Sequence, residues 1–80
     1  MRRIVGTPKE ILPHRKKIGD AIRRYRKGAN LTQEALAEKV DLNPKYIGEV
    51  ERGEKIISIE ALMRIAKVLE TPLSDFFRGI

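Results

Sequence analysis

The side chains with chemistry to offer are unevenly spread along the chain. Residues 1–28 hold Arg2, Arg3, Lys9, Arg15, Lys16, Lys17, Arg23, Arg24, Arg26 and Lys27 against only Glu10 and Asp20, a net of +8. Residues 29–80 carry seven basic and nine acidic side chains, a net of −2. Such a concentration of cations suits an anionic partner, nucleic acid first and an anionic membrane surface second. Covalent and metal chemistry are poorly served. There is no cysteine for a thiolate ligand, a nucleophile or a disulfide, and the single histidine, His14, makes neither a zinc site nor a His-based pair alone. No nucleophile stands beside a base, and no glycine-rich loop is placed to cradle a phosphate. The sequence therefore supports no enzyme, no metal and no cofactor.

The elements that must position those side chains are few. Eighty residues with a formal net charge of +6 make one domain, with a core of roughly a dozen to fifteen side chains and little room for an enclosed cavity. No apolar run approaches the roughly 18–20 residues that span a bilayer. The start of the chain, Met1 to Gly6, lacks the long apolar segment of a signal peptide. The expectation is a soluble, cytoplasmic protein without a membrane partner.

Residues 1–14 contain Pro8 and Pro13 and read as an extended, flexible arm, with one helical turn possible at Thr7 to Glu10. After His14, taken as a loop residue, Ile18, Ala21, Ile22 and Tyr25 recur at helical spacing among charges, giving an amphipathic helix ended by Gly28. Thr32 is the N-cap of a second helix with Leu36, Ala37 and Val40 inward, and Leu31 can staple onto Leu36. Asp41 tolerates the left-handed backbone that interrupts it. Asn43-Pro44 restarts a helix, with Ile47 and Val50 inward and Arg52-Gly53 as the stop. Ser58 caps a fourth helix through Leu62, Ile65, Ala66 and Leu69 to about Glu70. Thr71-Pro72 opens a short fifth through Leu73, Phe76 and Phe77. No alternating strand pattern or fixed repeat occurs.

Gln33 to Arg52 is the informative stretch. Two helices meeting steeply through a short turn must approach closely, which calls for a small residue, Ala37, at the crossing and larger ones on either side. The outer face from Asn43 to Glu49 is left free. The run Leu31-Thr32-Gln33-Glu34-Ala35-Leu36-Ala37-Glu38-Lys39-Val40, with Asn43-Pro44-Lys45-Tyr46-Ile47 and Val50-Glu51-Arg52-Gly53, resembles the Cro/repressor-type (XRE-like) helix-turn-helix family. The resemblance continues through Ser58 to Leu69 and Pro72 to Phe77, covering about residues 15–78. It implies an all-α, compact five-helix, lambda-repressor-like DNA-binding domain over 15–78, preceded by the arm 1–14 and followed by a tail at 79–80.

Carried over position by position, the resemblance makes the helix from Asn43 the recognition helix in the major groove. Asn43, Lys45, Tyr46 and Glu49 are then the base-reading candidates, Lys45 donating to guanine and Glu49 accepting from cytosine. Gln33, at an amide-rich helix start, Arg52 and Lys55 match phosphate-contacting positions, and Lys16 and Lys17 on the first helix join them. Arg2 and Arg3 can enter a minor groove or simply stay disordered. Pro44 removes one possible base contact. Gly48 costs about 1 kcal/mol relative to alanine, either to let the backbone approach DNA or as a tolerated exposed residue. Glu51 reads as a structural partner for Arg52 or a first-helix arginine.

Leu73, Phe76, Phe77 and Ile80 exceed what one small core hides and are expected to form a dimer interface. The functional expectation is a homodimeric transcriptional regulator, repressor or autoregulator, reading a palindromic site in double-stranded DNA. Among stand-alone types a restriction-modification controller, a phage-type regulator and an antitoxin-like autoregulator fit, with Ile57-Ser58-Ile59 slightly favouring the first. Two other classes compete: a protein-bridging module with weak DNA contact, and a basic membrane-surface helix at 15–28. The second conflicts with the use of Ile18, Ile22 and Tyr25 in the core.

Overall fold

The computed structural model describes residues 12–80. Arg2, Arg3 and the possible helical turn at Thr7 to Glu10 lie outside the described residues. Four α-helices follow in order, α1 (Leu12–Gly28), α2 (Gln33–Val40), α3 (Pro44–Glu51) and α4 (Ile59–Val68), and then a 3₁₀ turn, Leu73–Phe77. No described residue is in a strand.

Three of the four α-helices start as their capping residues dictate. Thr32 Oγ1 accepts from the Ala35 amide at 3.0 Å, Asn43 Oδ1 from the Lys45 amide at 2.7 Å, and Ser58 Oγ from the Ala61 amide at 3.1 Å. Each satisfies one of the donors that a helix start leaves without an intrahelical partner. Thr71 departs from the pattern: its hydroxyl donates back to the Leu69 carbonyl, and the turn after Pro72 carries no side-chain cap. The expected fifth helix is accordingly a single 3₁₀ turn.

The helix ends share one device. In the Schellman arrangement, two amides beyond the helix bond back to carbonyls of its last turn, and the residue between them turns left-handed. Leu31 N reaches Arg26 O at 3.1 Å, Leu42 N reaches Ala37 O at 2.9 Å, Glu54 N reaches Glu49 O at 2.9 Å and Thr71 N reaches Ala66 O at 2.9 Å. The left-handed residues are Asn30, Asp41, Gly53 and Glu70. Asp41 and Gly53 meet the sequence expectation. The first reversal falls at Asn30 instead of Gly28, which is still helical. At the other end α1 begins at Leu12, ahead of the boundary read at residue 15, because Pro13 and His14 fit the first turn. A proline there gives up an amide that has no intrahelical partner anyway.

The core contains fourteen buried apolar side chains among the described residues, within the range that the chain length implied. Leu36, Ala37, Val40, Ile47, Val50, Leu62, Ile65 and Ala66 face inward as their spacing required, while Leu31, Leu42 and Leu69 cover the edge. Phe76 is 1% exposed and meets the Tyr25 ring edge-on at 5.4 Å. It is a core residue and is removed from the expected dimer surface. Leu73 and Phe76, three apart, share one face of the 3₁₀ turn, so Leu73 also packs on the core while Phe77 and Ile80 stay exposed.

Candidate nucleic-acid interface

The position of α3 is fixed from behind. Ile47 and Val50 hold it to the core, and α1 approaches so closely that a Cβ added at Gly19 would collide with the Val50 carbonyl and lie 2.8 Å from the Glu51 carbonyl. Gly19 is therefore the contact point that lets the two helices cross. Two turns further along α1, Arg26 enters the same contact. Its Nε and Nη2 donate to Glu51 Oε2 and Oε1 at 2.7 and 2.9 Å, and its Nη1 donates to the Leu31 carbonyl at 2.8 Å. Both side chains are buried, at 8% and 2% exposure. The Glu51 hydrogen bonds hold the Arg26 guanidinium above its ordinary pKa against the opposing effect of burial.

Glu51 accepts one bond more, from Gln33 Nε2 at 3.0 Å. One buried carboxylate thus ties together the end of α1, the start of α2 and the end of α3. Glu51 is the structural partner its sequence position suggested, and the first-helix arginine is Arg26. Arg26 was hidden among the solvated basic residues of α1. Its signal was spacing, since Ile18, Ile22 and Arg26 lie four apart on one helical stripe.

The outer side of α3 is open. Asn43, Lys45, Tyr46, Glu49 and Lys55 line a shallow depression of about 230 Å³. Lys45 is exposed along it. Tyr46 is half-buried against the core, and its hydroxyl accepts from the Ser58 amide at 3.3 Å. Glu49 is partly covered and pairs with Lys55 at 3.4 Å, which offsets its negative charge where phosphate would approach. A larger depression, between the end of α2 and α4, contains none of the expected site residues.

The phosphate-contact candidates divide into two groups. Gln33 and Arg52 flank Gly48: a Cβ there would lie 3.0 Å from Arg52 Nη1 and 3.5 Å from Gln33 Oε1. Gly48 is buried beneath these side chains, unlike either expectation for it. Arg52 itself is exposed and paired with Glu54 through Nε at 2.8 Å and Nη2 at 3.2 Å. These hydrogen bonds raise the pKa of Arg52 and lower that of Glu54. Lys16 lies over Gly53, where α3 ends, and pairs with Asp20 at 2.6 Å. Lys17 is elsewhere, donating to the Gly79 carbonyl at 2.6 Å, so it does not join the other candidates.

A protein-family model described as Helix-turn-helix matches residues 22–76. The chain belongs to this helix-turn-helix family. It is 43% identical over 54 residues to the control protein C.SmaI of Serratia marcescens, an alignment spanning 68% of this chain and 64% of that protein. The chain thus spans under two thirds of that relative's length. Among solved structures, the restriction-modification controller protein C.AhdI of Aeromonas hydrophila superposes with a TM-score of 0.78 at 31% identity, over 81% of this chain and 98% of that one. The biofilm master regulator SinR in complex with DNA superposes at 0.71 and 30% identity, covering 74% and 95%. Among the described residues no helix is long and apolar enough to cross a membrane.

Proposed function

We propose that this helix-turn-helix domain binds double-stranded DNA sequence-specifically and regulates transcription, α3 entering the major groove. One observation carries the reading: α3 is locked to α1 and α2 along its inner side while its outer side, from Asn43 to Lys55, remains an open, polar, charge-bearing surface. A helix fixed in this way can present side chains to base edges in a defined register. Lys45 is the leading base reader, with Asn43 and Glu49 beside it. Tyr46 offers its ring edge while its hydroxyl stays with Ser58. Gln33, Arg52, Lys55 and Lys16 contact phosphates on the two sides, and Lys17 contributes only if it leaves Gly79. That one relative is a controller of a restriction-modification system, and another is solved with DNA, supports the same reading.

The regulator acts as a homodimer on an approximate palindrome. Apolar side chains that folding leaves exposed supply the pairing surface. Phe77 and Ile80 remain from the sequence expectation, and Ile56, Ile59 and Met63 add a patch at the start of α4. Such residues mark contact surfaces when they cluster. Two recognition helices about 34 Å apart match half-sites one helical turn apart.

In vitro selection of bound duplexes from a random pool tests binding, sequence preference and dimer symmetry together. The expected product is a pair of inverted half-sites. Weak, sequence-blind recovery would instead support the protein-bridging module. Comparing Ile59→Asp with Phe77→Asp by sedimentation would identify which patch pairs the subunits, the effective substitution yielding monomer.

A further inference from the structure

At Gly48, in α3, the absent side chain leaves room for two phosphate-contact candidates at once. The geometry points to Gly48 as a positioning residue for DNA binding, acting through Arg52 and resting on the reading proposed above. Arg52 uses Nε and Nη2 to grip Glu54, which leaves Nη1 as the end directed over Gly48. The space a methyl group would fill is bounded by that Nη1 at 3.0 Å and by the Gln33 amide atoms at 3.5 and 3.7 Å. The distances decide which neighbour gives way. The two Gln33 contacts are ordinary van der Waals separations, and Gln33 is further held by its bond to Glu51 at 3.0 Å. The Arg52 contact is tighter than an ordinary one, so a side chain at 48 shifts the exposed guanidinium by a few tenths of an ångström. The backbone and core are not forced to move.

The missing Cβ therefore draws an amide from the start of α2 and a guanidinium from the end of α3 onto adjacent ground. There they can engage one stretch of backbone phosphate together. An ordinary helical residue at 48 would crowd the guanidinium and shift it by a few tenths of an ångström. A glycine in mid-helix weakens the helix by roughly 0.8–1.0 kcal/mol relative to alanine, so position 48 trades fold stability for placement of Arg52.

Gly48→Ala tests this with two readouts that a purely structural glycine would move together. Without DNA, the variant is expected to melt at the wild-type temperature or above it. Its affinity for a mixed-sequence duplex, and for a duplex selected from a random pool, is expected to fall about threefold, as for the weakening of one charge-assisted contact. The slope of log K against log salt should become shallower by a fraction of the roughly 0.9 that one whole phosphate contact contributes. Added to Arg52→Ala, Gly48→Ala should cost nothing further. Unchanged affinity and slope in Gly48→Ala, or a further loss on top of Arg52→Ala, overturns the positioning role while leaving the DNA-binding reading intact. Wild-type protein that binds neither duplex overturns both.

Discussion

Two arginine–glutamate pairs of nearly the same length sit at opposite ends of this domain's electrostatics. Arg26 and Glu51 meet at 2.7 Å with side chains 8% and 2% exposed, whereas Arg52 and Glu54 meet at 2.8 Å with side chains 56% and 54% exposed. Distance does not distinguish them; water does. The buried pair has given up hydration and is committed to its geometry, so removing either partner strands a charge. The exposed pair can exchange its carboxylate for water or for another anion at little cost. One Arg–Glu pair therefore fixes α3 in place, and the other keeps an exposed cation that the proposed function directs to phosphate.

Glu51→Ala should break the comparison most severely. Leaving Arg26 buried and unpaired costs about 3–5 kcal/mol, which lowers the melting temperature by more than about 12 °C in a domain of this size or unfolds it. Replacing both partners by Met and Leu should restore much of that loss. A double variant as unstable as Glu51→Ala would mean that the pair is intrinsically favourable. Next in size is Gly19→Ala, which drives a methyl group onto the Val50 carbonyl. Overpacking of this kind, against backbone, costs about 1–3 kcal/mol, more than alanine's helix preference returns, so the melting temperature should fall. Asn43→Ala removes the α3 cap at about 1 kcal/mol, read in the absence of DNA so that base contacts do not enter.

The exposed pair gives the smallest stability effect. Arg52→Ala should leave the melting temperature where it was while weakening binding to all duplexes about equally, whereas Lys45→Ala should change base preference. The pH behaviour follows from the lowered Glu54 pKa. Its small stabilising contribution is present above the ordinary glutamate range and is lost as pH falls through the lowered value. The Glu54 carboxyl resonance should accordingly titrate below an ordinary glutamate and return to that range in Arg52→Ala. Raised pKa at Arg26 keeps its contribution intact through neutral pH, lost only in strong alkali.

Much of the frame was legible because it rests on local chemistry. Thr32, Asn43 and Ser58 cap the helices that their side chains announce, and the apolar spacing of Leu36, Ala37, Val40, Ile47 and Val50 places the inner faces of α2 and α3. What escaped depends on tertiary approach. Gly19 looks like an unremarked helical glycine until the α3 carbonyls arrive. Arg26 looks like one more cation of a solvated face. Glu70 gives no local reason to turn left-handed, since the residue types usually found there are glycine and asparagine. Phe76 and Phe77 could not be separated by an α-helical period, whereas the three-residue period of the 3₁₀ turn sends one inward and the other out. Among the interface candidates, Asn43, Lys45, Tyr46, Glu49 and Lys55 do line one surface, but Lys17 is bound to the chain's far end.

The Arg26 fork has a kinetic corollary. Because its third nitrogen holds the Leu31 carbonyl, the reversal between α1 and α2 cannot open to solvent without also uncovering the Glu51 carboxylate. Helices α1, α2 and α3 are thereby joined in one cooperative opening unit, whose amides exchange with solvent together and slowly. The 3₁₀ turn is attached through Phe76 and Leu73 in the core and through the Lys17–Gly79 bond. It carries no comparable lock, yet Phe76 is 1% exposed, so the turn cannot leave without opening the core and its amides should exchange only with that larger opening.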